Sequence, residues 1–575
     1  MTGRSLRGAA IAACLLFAAS ATGQTLTTKP IAARSATAAN PRTRAERTNY
    51  LETSHYSDVI AFLDSLHGRP ELFFGSIGKT SEGREIPYVI ASRPRVSTPE
   101  EARKLNRPIV YVQGNIHAGE VEGKEALLAV LRDLTASNRP NALDSIVLIA
   151  VPDYNADGNE RFGSQETNRG SQNGPEMVGV RANAQALDLN RDYIKAEAPE
   201  TRASLAMFNK WDPEVFVDLH TTDGSYHGYA LTYAAALNPG APLGIWARDS
   251  LLTVLRQRMQ SRHGFAAFDY GDFFSEDTLS KGWYTFDSRP RFGTNYYGLR
   301  GKVAILSEAF SHDPFEKRVA ATYAFVNEIL SLASEKKTQL LRTRFPSRDS
   351  ASLKLLPQPD GSIRGEGSTG LVIAKVNIRP GLWYPLRTEM IPAPDSQNVV
   401  AEVMERVSSV TRTQAGVPKG RKRTGTFVTV KMPVYDRFKA TLWTDMPVRY
   451  FIPAGDTAVV RLLRLHGVNV APGPLNLART RLRLQQFSID SVVTSPRAFQ
   501  GHKETRLEGR WRDYSGALPD SYYVVDVSLL PRGPLSVYLL EPQSEDGLVN
   551  WNYLDRELRP SGTYPILRAL PPLVN

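Results

Sequence analysis

The sequence predicts an α/β domain built on a mixed, mostly parallel sheet flanked by helices, followed by a β-rich C-terminal domain. Three observations carry that prediction. Short, wholly apolar runs alternate with longer helical patterns up to about residue 340. Three of those runs end on, or just before, a histidine or a glutamate. Beyond about residue 345 the helical periodicity fades and strand-like alternation takes over, punctuated by Pro and Gly.

The elements follow in order. A helical pattern starts at Tyr56 and runs through Val59, Ile60, Phe62, Leu63 and Leu66. The segments Pro108–Val112, Ile146–Val151, Val215–Val217 and Val303–Leu306 are short and apolar, with β-branched residues, as strands covered on both faces are. Between them, Lys124–Leu134, Ala198–Lys210, Leu243–Gln260 and Phe315–Leu332 read as helices. Strands alternating with helices point to an α/β sheet. In the second half, Thr426–Val430 and Tyr522–Val527 alternate like strands, and one helix is expected at Ala458–Leu465.

With 575 residues, two large domains are expected. The boundaries read as 46–340 for the α/β domain and 346–575 for the β-rich region. Residues 1–23 resemble an export signal: Arg4 and Arg7, an apolar stretch Ala9–Ala19, then Ser20, Ala21, Thr22 and Gly23. Residues 24–45 read as a linker. The expected location is periplasmic or extracellular. The single cysteine, Cys14, lies inside the signal, so thiol catalysis and disulfides are excluded from the exported chain. Ile11–Cys14 also looks like a lipoprotein processing site, which would anchor the protein through Cys14, but the apolar run continues past it. No other stretch approaches the ~20 apolar residues of a membrane helix. Of the net charge of +11, residues 346–575 carry +9. That region could touch anionic envelope components, although solvated surface Arg and Lys is the simpler reading. No nucleic-acid motif is present.

The chemistry concentrates at strand ends. His117 and Glu120, in Gly114-Asn115-Ile116-His117-Ala118-Gly119-Glu120, follow one strand and precede a helix, where ligands collect in open α/β sheets. His220 ends the run Val215–Leu219, and Glu308 ends Ala304–Ser307. Two imidazoles and a carboxylate form the set a catalytic zinc uses while keeping one position for water, and a further carboxylate can take that water's proton. Arg191, with Asn190 beside it, suits a carboxylate gripped by a bidentate fork, although a helix-capping or surface Arg is the simpler reading of that residue by itself.

This order, His117-x-x-Glu120, Asn190-Arg191, His220 and Glu308, resembles the zinc carboxypeptidase family over about residues 50–340. Ile77–Arg84 and Asn155-Ala156-Asp157-Gly158 are similar to that family's entry strands and its Asn-Pro-Asp-Gly turn. The resemblance implies one Zn2+ held by His117, Glu120 and His220, Glu308 as general base, and Asn190 and Arg191 on the substrate's terminal carboxylate. For the arginine that stabilises the oxyanion, Arg161, Arg169 and Arg181 are available; Arg169 is favoured because Asn168-Arg169-Gly170 sits among loop residues. The family's tyrosine could be Tyr284, Tyr296 or Tyr297. His227 and His312 near the ligands are expected to be pocket-wall residues. The implied activity is a secreted metallocarboxypeptidase acting on a peptide with a free carboxylate. The alternatives are a zinc amidase or deacylase for cell-wall peptides or N-acyl amino acids, and a binding protein that has lost catalysis.

Overall fold

The computed structural model describes residues 40–343, 381–406, 421–473, 482–518, 521–528 and 532–572. The signal, Cys14 and most of the 24–45 linker lie outside these residues. Among the described residues no helix is long and apolar enough to cross a membrane.

The sheet of the first domain has eight strands: β1 (Leu72–Lys79), β2 (Glu85–Ala91), β3 (Ile109–Gly114), β4 (Val147–Val151), β5 (Val215–Thr221), β6 (Leu231–Ala235), β7 (Ala267–Asp269) and β8 (Val303–Ala309). Their spatial order is β1-β2-β4-β3-β5-β8-β6-β7. The four central strands β4, β3, β5 and β8 run parallel, while β1 with β2, β2 with β4, and β6 with β8 are antiparallel. The sheet is therefore mixed and mostly parallel at its centre, as the apolar runs predict.

Helices α1 (Tyr56–Asp64), α2 (Glu122–Leu134), α3 (Pro199–Trp211), α4 (Thr253–His263) and α5 (Phe315–Glu335) flank it. The period-2 geometry of β3 shows why both faces had to be apolar. Val110 and Val112 pack into one core with Leu127, Leu128 and Leu131 of α2 and Phe325 and Ile329 of α5. Ile109 and Tyr111 point the other way, into a core with Leu205, Phe208 and Trp211 of α3. The expected helix Leu243–Gln260 extends from Pro242 to His263, with a π-helical stretch over Ala247–Leu252.

The described parts of the C-terminal region are β-rich. One two-stranded ribbon pairs Trp383–Ile391 with Arg437–Asp445, and another pairs Gln397–Arg406 with Arg421–Met432. A six-stranded sheet has the order Val470–Pro472, Tyr522–Asp526, Arg449–Pro453, Leu567–Leu570, Arg483–Thr494, Thr505–Asp513. The expected helix is present at Thr457–Leu465. Tyr384, Tyr450, Ile452, Leu463 and Tyr538 join the same apolar core as Tyr111 and Phe208. Val434–Tyr435 also pairs in parallel with Trp283–Tyr284 of the first domain. The two regions thus share backbone pairing and a core.

Candidate active site

The site lies at the carboxyl ends of β3, β5 and β8. The parallel register fixes part of it directly, since Glu308 of β8 stands opposite His220 of β5. His117 and Glu120 sit in the tight connection from β3 to α2. Gly114 and Gly123 let that connection close up: a Cβ on Gly114 would come within 2.9 Å of the Gly123 backbone, and one on Gly123 within 2.7 Å of the Leu219 side chain. Asn115, with φ of +66°, turns the chain out of β3, and its amide donates to Asp153 (2.7 Å) and Asn159 (3.0 Å).

The three expected ligands converge. Nδ1 of His117 is 3.0 Å from Glu120 Oε1, Nδ1 of His220 is 3.0 Å from Glu120 Oε2, and the two Nδ1 atoms are 3.2 Å apart. All three residues are buried, and their ligand atoms lie within 4.8 Å of one another. Nε2 of His117 is 3.0 Å from Asp188 Oδ1, so with that nitrogen protonated the Nδ1 lone pair faces the cluster. Nε2 of His220 is 3.1 Å from Asp218 Oδ2. Two nitrogen lone pairs and a carboxylate oxygen, oriented by carboxylates behind them, fit a zinc ion.

The electrostatics favour a cation in the same place. Burial works to lower the His220 pKa, but Asp218 and Glu120 drive it well above the ordinary imidazole value. Burial likewise opposes ionisation of Glu120, but His117 and Arg169 hold its pKa well below normal. Glu308 is shifted the other way. Its burial, and the negative charges of Glu120 and Asp223, raise its pKa well above normal against the pull of His220 and Arg169. A dication beside it would favour the carboxylate.

The remaining expected residues occupy distinct places. Asp188 caps a short turn, Leu189–Arg191, by accepting from the Asn190 backbone N–H at 2.9 Å. Asn190 is buried, its Oδ1 accepting from Gly293 N–H at 2.8 Å. The Arg191 guanidinium donates to the Asn190 carbonyl at 2.9 Å and stacks 4.0 Å over the Phe292 ring. Burial lowers its pKa from the usual guanidinium value, and Asp188 counters that shift.

Arg169 is buried, and spends its donors on Glu120 Oε1 (3.0 Å) and the carbonyls of Thr221 (3.1 Å) and Thr222 (3.0 Å). Arg181 is more open. Its Nε donates to Asp188 Oδ2 at 2.9 Å, and one terminal nitrogen lies 3.4 Å from Glu120 Oε1. Arg161 is directed elsewhere, pairing with Glu82 at 2.9 Å. The tyrosines singled out in the sequence are engaged away from the ligands. Tyr296 bonds His466 and Tyr297 bonds Ser204, both in the core, and Tyr284 stacks on Phe274. The phenol in the site's field is Tyr270, whose pKa is raised first by burial and then by Glu308, Asp223 and Glu120. Nothing in its local sequence marked it. His227 and His312 are engaged with neighbouring rings and backbone groups. His227 is buried against Phe310 and accepts from the Tyr229 N–H, and His312 stacks on Tyr226 and donates to the Gly224 carbonyl. Burial lowers their pKa values to about 3 and about 4.

The motifs outside the ligand set also meet. Asp157, in the Asn155–Gly158 turn, accepts from Thr80 (2.7 Å), Glu82 N–H (2.9 Å) and Arg84 (2.7 Å), tying the β1–β2 connection to the turn beside the site.

Residues 59–240 match the zinc carboxypeptidase family. A probable carboxypeptidase 2 of Trichophyton verrucosum is 32% identical over 283 residues, covering 46% of this chain and 51% of that protein. Human carboxypeptidase D is 33% identical over 157 residues, covering 26% of this chain and 10% of that protein. The chain thus spans about half the length of the fungal relative, and less of the human one. A metallo-carboxypeptidase from Pseudomonas aeruginosa, solved in complex with (2-guanidinoethylmercapto)succinic acid, aligns with a TM-score of 0.37 at 18% identity, covering 50% of this chain and 70% of that one.

Proposed function

Since the chain belongs to the zinc carboxypeptidase family through residues 59–240, we propose that it is an exported metallocarboxypeptidase that hydrolyses the peptide bond next to a free C-terminal carboxylate. The observation that carries this reading is the convergence of His117, Glu120 and His220 within 4.8 Å, with Glu308 in register beside His220 and Arg191 in the turn capped by Asp188. In this reading residues 46–340 are the catalytic domain, residues 346–575 an accessory region, and residues 1–23 the export signal.

Held by His117, Glu120 and His220, zinc would polarise the scissile carbonyl and acidify a water. Glu308 takes the proton of the attacking water and hands it to the departing amine. Asp188 keeps His117 in the tautomer that points Nδ1 inward. For the negative charge that grows on the carbonyl oxygen, the geometry favours Arg181 over Arg169. Both terminal nitrogens of Arg169 are engaged by Glu120 and two backbone carbonyls, so it serves to hold Glu120 in place. Asn190 and Arg191 pair with the substrate's carboxylate, which unpaired in such a cleft would cost several kcal/mol.

The test uses one peptide with either terminus and two enzymes. The wild type should cleave the free acid about a hundredfold faster in kcat/KM than the C-terminal amide, a loss of ~3 kcal/mol. Arg191→Ala should lower the acid by a similar factor and leave the amide nearly unchanged. An amide cleaved as fast as the acid by the wild type overturns the carboxypeptidase reading and moves the metal site to the amidase alternative.

A further inference from the structure

The strands Arg483–Thr494 and Thr505–Asp513 belong to the C-terminal six-stranded sheet, but the loop joining them reaches into the catalytic region. Its tip is closed by a reciprocal backbone pair between Phe499 and His502 (2.7 and 3.0 Å), across Gln500 and Gly501, both with positive φ. Gln500 Oε1 accepts from the backbone N–H of Asp188 at 2.9 Å, 312 residues away in the chain. His502 fastens the same loop, 2.8 Å from Glu197 and 3.0 Å from Asn552. The loop is thus anchored on the residue that orients His117.

Between this loop and Arg191 lies a cavity of about 470 Å³, walled by Arg191, Arg289, Arg291 and, from the loop, Arg497, Phe499 and Glu504. The cations in it are not equivalent. Arg291 is neutralised by Asp546 (2.8 Å) and Glu504 (2.7 Å), and Arg289 is paired with Asp287. Arg191 and Arg497 carry no ion pair among the described residues, and Arg497 is exposed at the rim. Two guanidinium groups without an ion pair on one cavity, which Phe292 and Phe499 also line, match a ligand with two carboxylates joined by a short apolar spacer.

Building on the carboxypeptidase reading, we propose that loop 495–504 is part of the substrate site. In this proposal Arg191 takes the terminal carboxylate and Arg497 a side-chain carboxylate, so that the preferred leaving residue is glutamate or aspartate.

The experiment uses the zinc-loaded full chain and N-acylated dipeptides that differ only in a C-terminal Glu, Leu or Lys. The Glu peptide should exceed the Leu peptide about tenfold in kcat/KM. Arg497→Ala should remove that factor while changing the Leu peptide less than about twofold, and Arg497→Lys should restore part of it. Equal rates for Glu and Leu, a preference for Lys, or an Arg497→Ala variant that slows Glu and Leu alike overturns the proposal. A second readout does not need turnover: calorimetric titration of zinc-loaded Glu308→Gln with N-acetylglutamate and N-acetylleucine. If no peptide is cleaved, the carboxypeptidase reading fails. The loop proposal then stands on tighter glutamate binding that is lost with Arg497→Ala, and falls if the two ligands bind equally.

Discussion

The carboxyl ends of the central parallel strands and the antiparallel C-terminal region serve one site by different means. In the first, backbone register does the placing: β5 and β8 run side by side, and Glu308 stands opposite His220 because their strands pair residue for residue from Val215 and Val303 onward. In the second, a loop supported by a remote sheet reaches the site, through Gln500 on Asp188 and Arg497 at the cavity rim. Groups that must sit within hydrogen-bond reach of reacting atoms are carried at the rigid ends of strands, and groups that select a side chain are carried where a substitution leaves the sheet intact.

The largest effects are expected at the strand ends. His220→Ala should reduce the metal content from about one zinc per chain to a small fraction of that, measured by elemental analysis after dialysis. Undiminished zinc would show that the ligand set is drawn from elsewhere. Glu308→Gln should keep the zinc and lose at least ~10² in kcat, since the amide preserves the shape but takes no proton. Retained turnover would assign the base to another group.

A smaller effect is expected from the loop. Gln500→Ala frees the Asp188 N–H and loosens the carboxylate that holds His117, so chelator-driven zinc loss should quicken about tenfold. If zinc leaves at the wild-type rate, the two regions meet without influencing each other.

A further effect concerns the seam between the regions. His466, after the C-terminal helix, accepts at Nδ1 from the Tyr296 hydroxyl (2.7 Å) and donates from Nε2 to the Ile194 carbonyl (3.0 Å). Burial lowers its pKa to about 3; the Ile194 bond opposes the shift and Arg300 adds to it. The unfolded chain carries an ordinary imidazole, so between about pH 6.5 and 3 it binds the proton that the folded chain refuses. Stability should therefore be full above about 6.5 and fall as pH drops below it, with this group supplying ~1.4 kcal/mol per pH unit. Denaturant titrations of His466→Gln should show a shallower acid limb. An unchanged slope would mean that His466 is protonated in the fold.

Much of the first region was legible because its signals are local. An apolar run with a His or Glu at its end declares both a buried strand and the polarity of its exit, and that located His117, His220 and Glu308 from the residues alone. Asp188 was in plain view two residues before Asn190, but its role depends on His117, 71 residues earlier, and nothing nearby reveals it. The choice between Arg169 and Arg181 turns on which has its donors occupied by the Thr221 and Thr222 carbonyls, a property of the folded chain. Tyr270 lies at the end of β7, whose three residues are too few for a periodic signal. Arg497 and Gln500 sit in a hairpin that reads as an ordinary turn; the partner that gives them meaning is some 300 residues away.

The strand order of the C-terminal sheet also bears on when the protein becomes active. Leu567–Leu570 lies between Arg449–Pro453 and Arg483–Thr494, so a strand synthesised after the other described ones joins the hairpin that carries loop 495–504 to the rest of its sheet. All the proposed zinc ligands and the base are synthesised by residue 308, but the loop that caps Asp188 lacks the strand Leu567–Leu570 beside its hairpin until residue 570 is made. A nascent chain in this arrangement carries its reactive groups from residue 308 to residue 570 without the wall that selects a substrate. Synthesis of that strand, rather than assembly of the ligands, is the step that finishes the pocket.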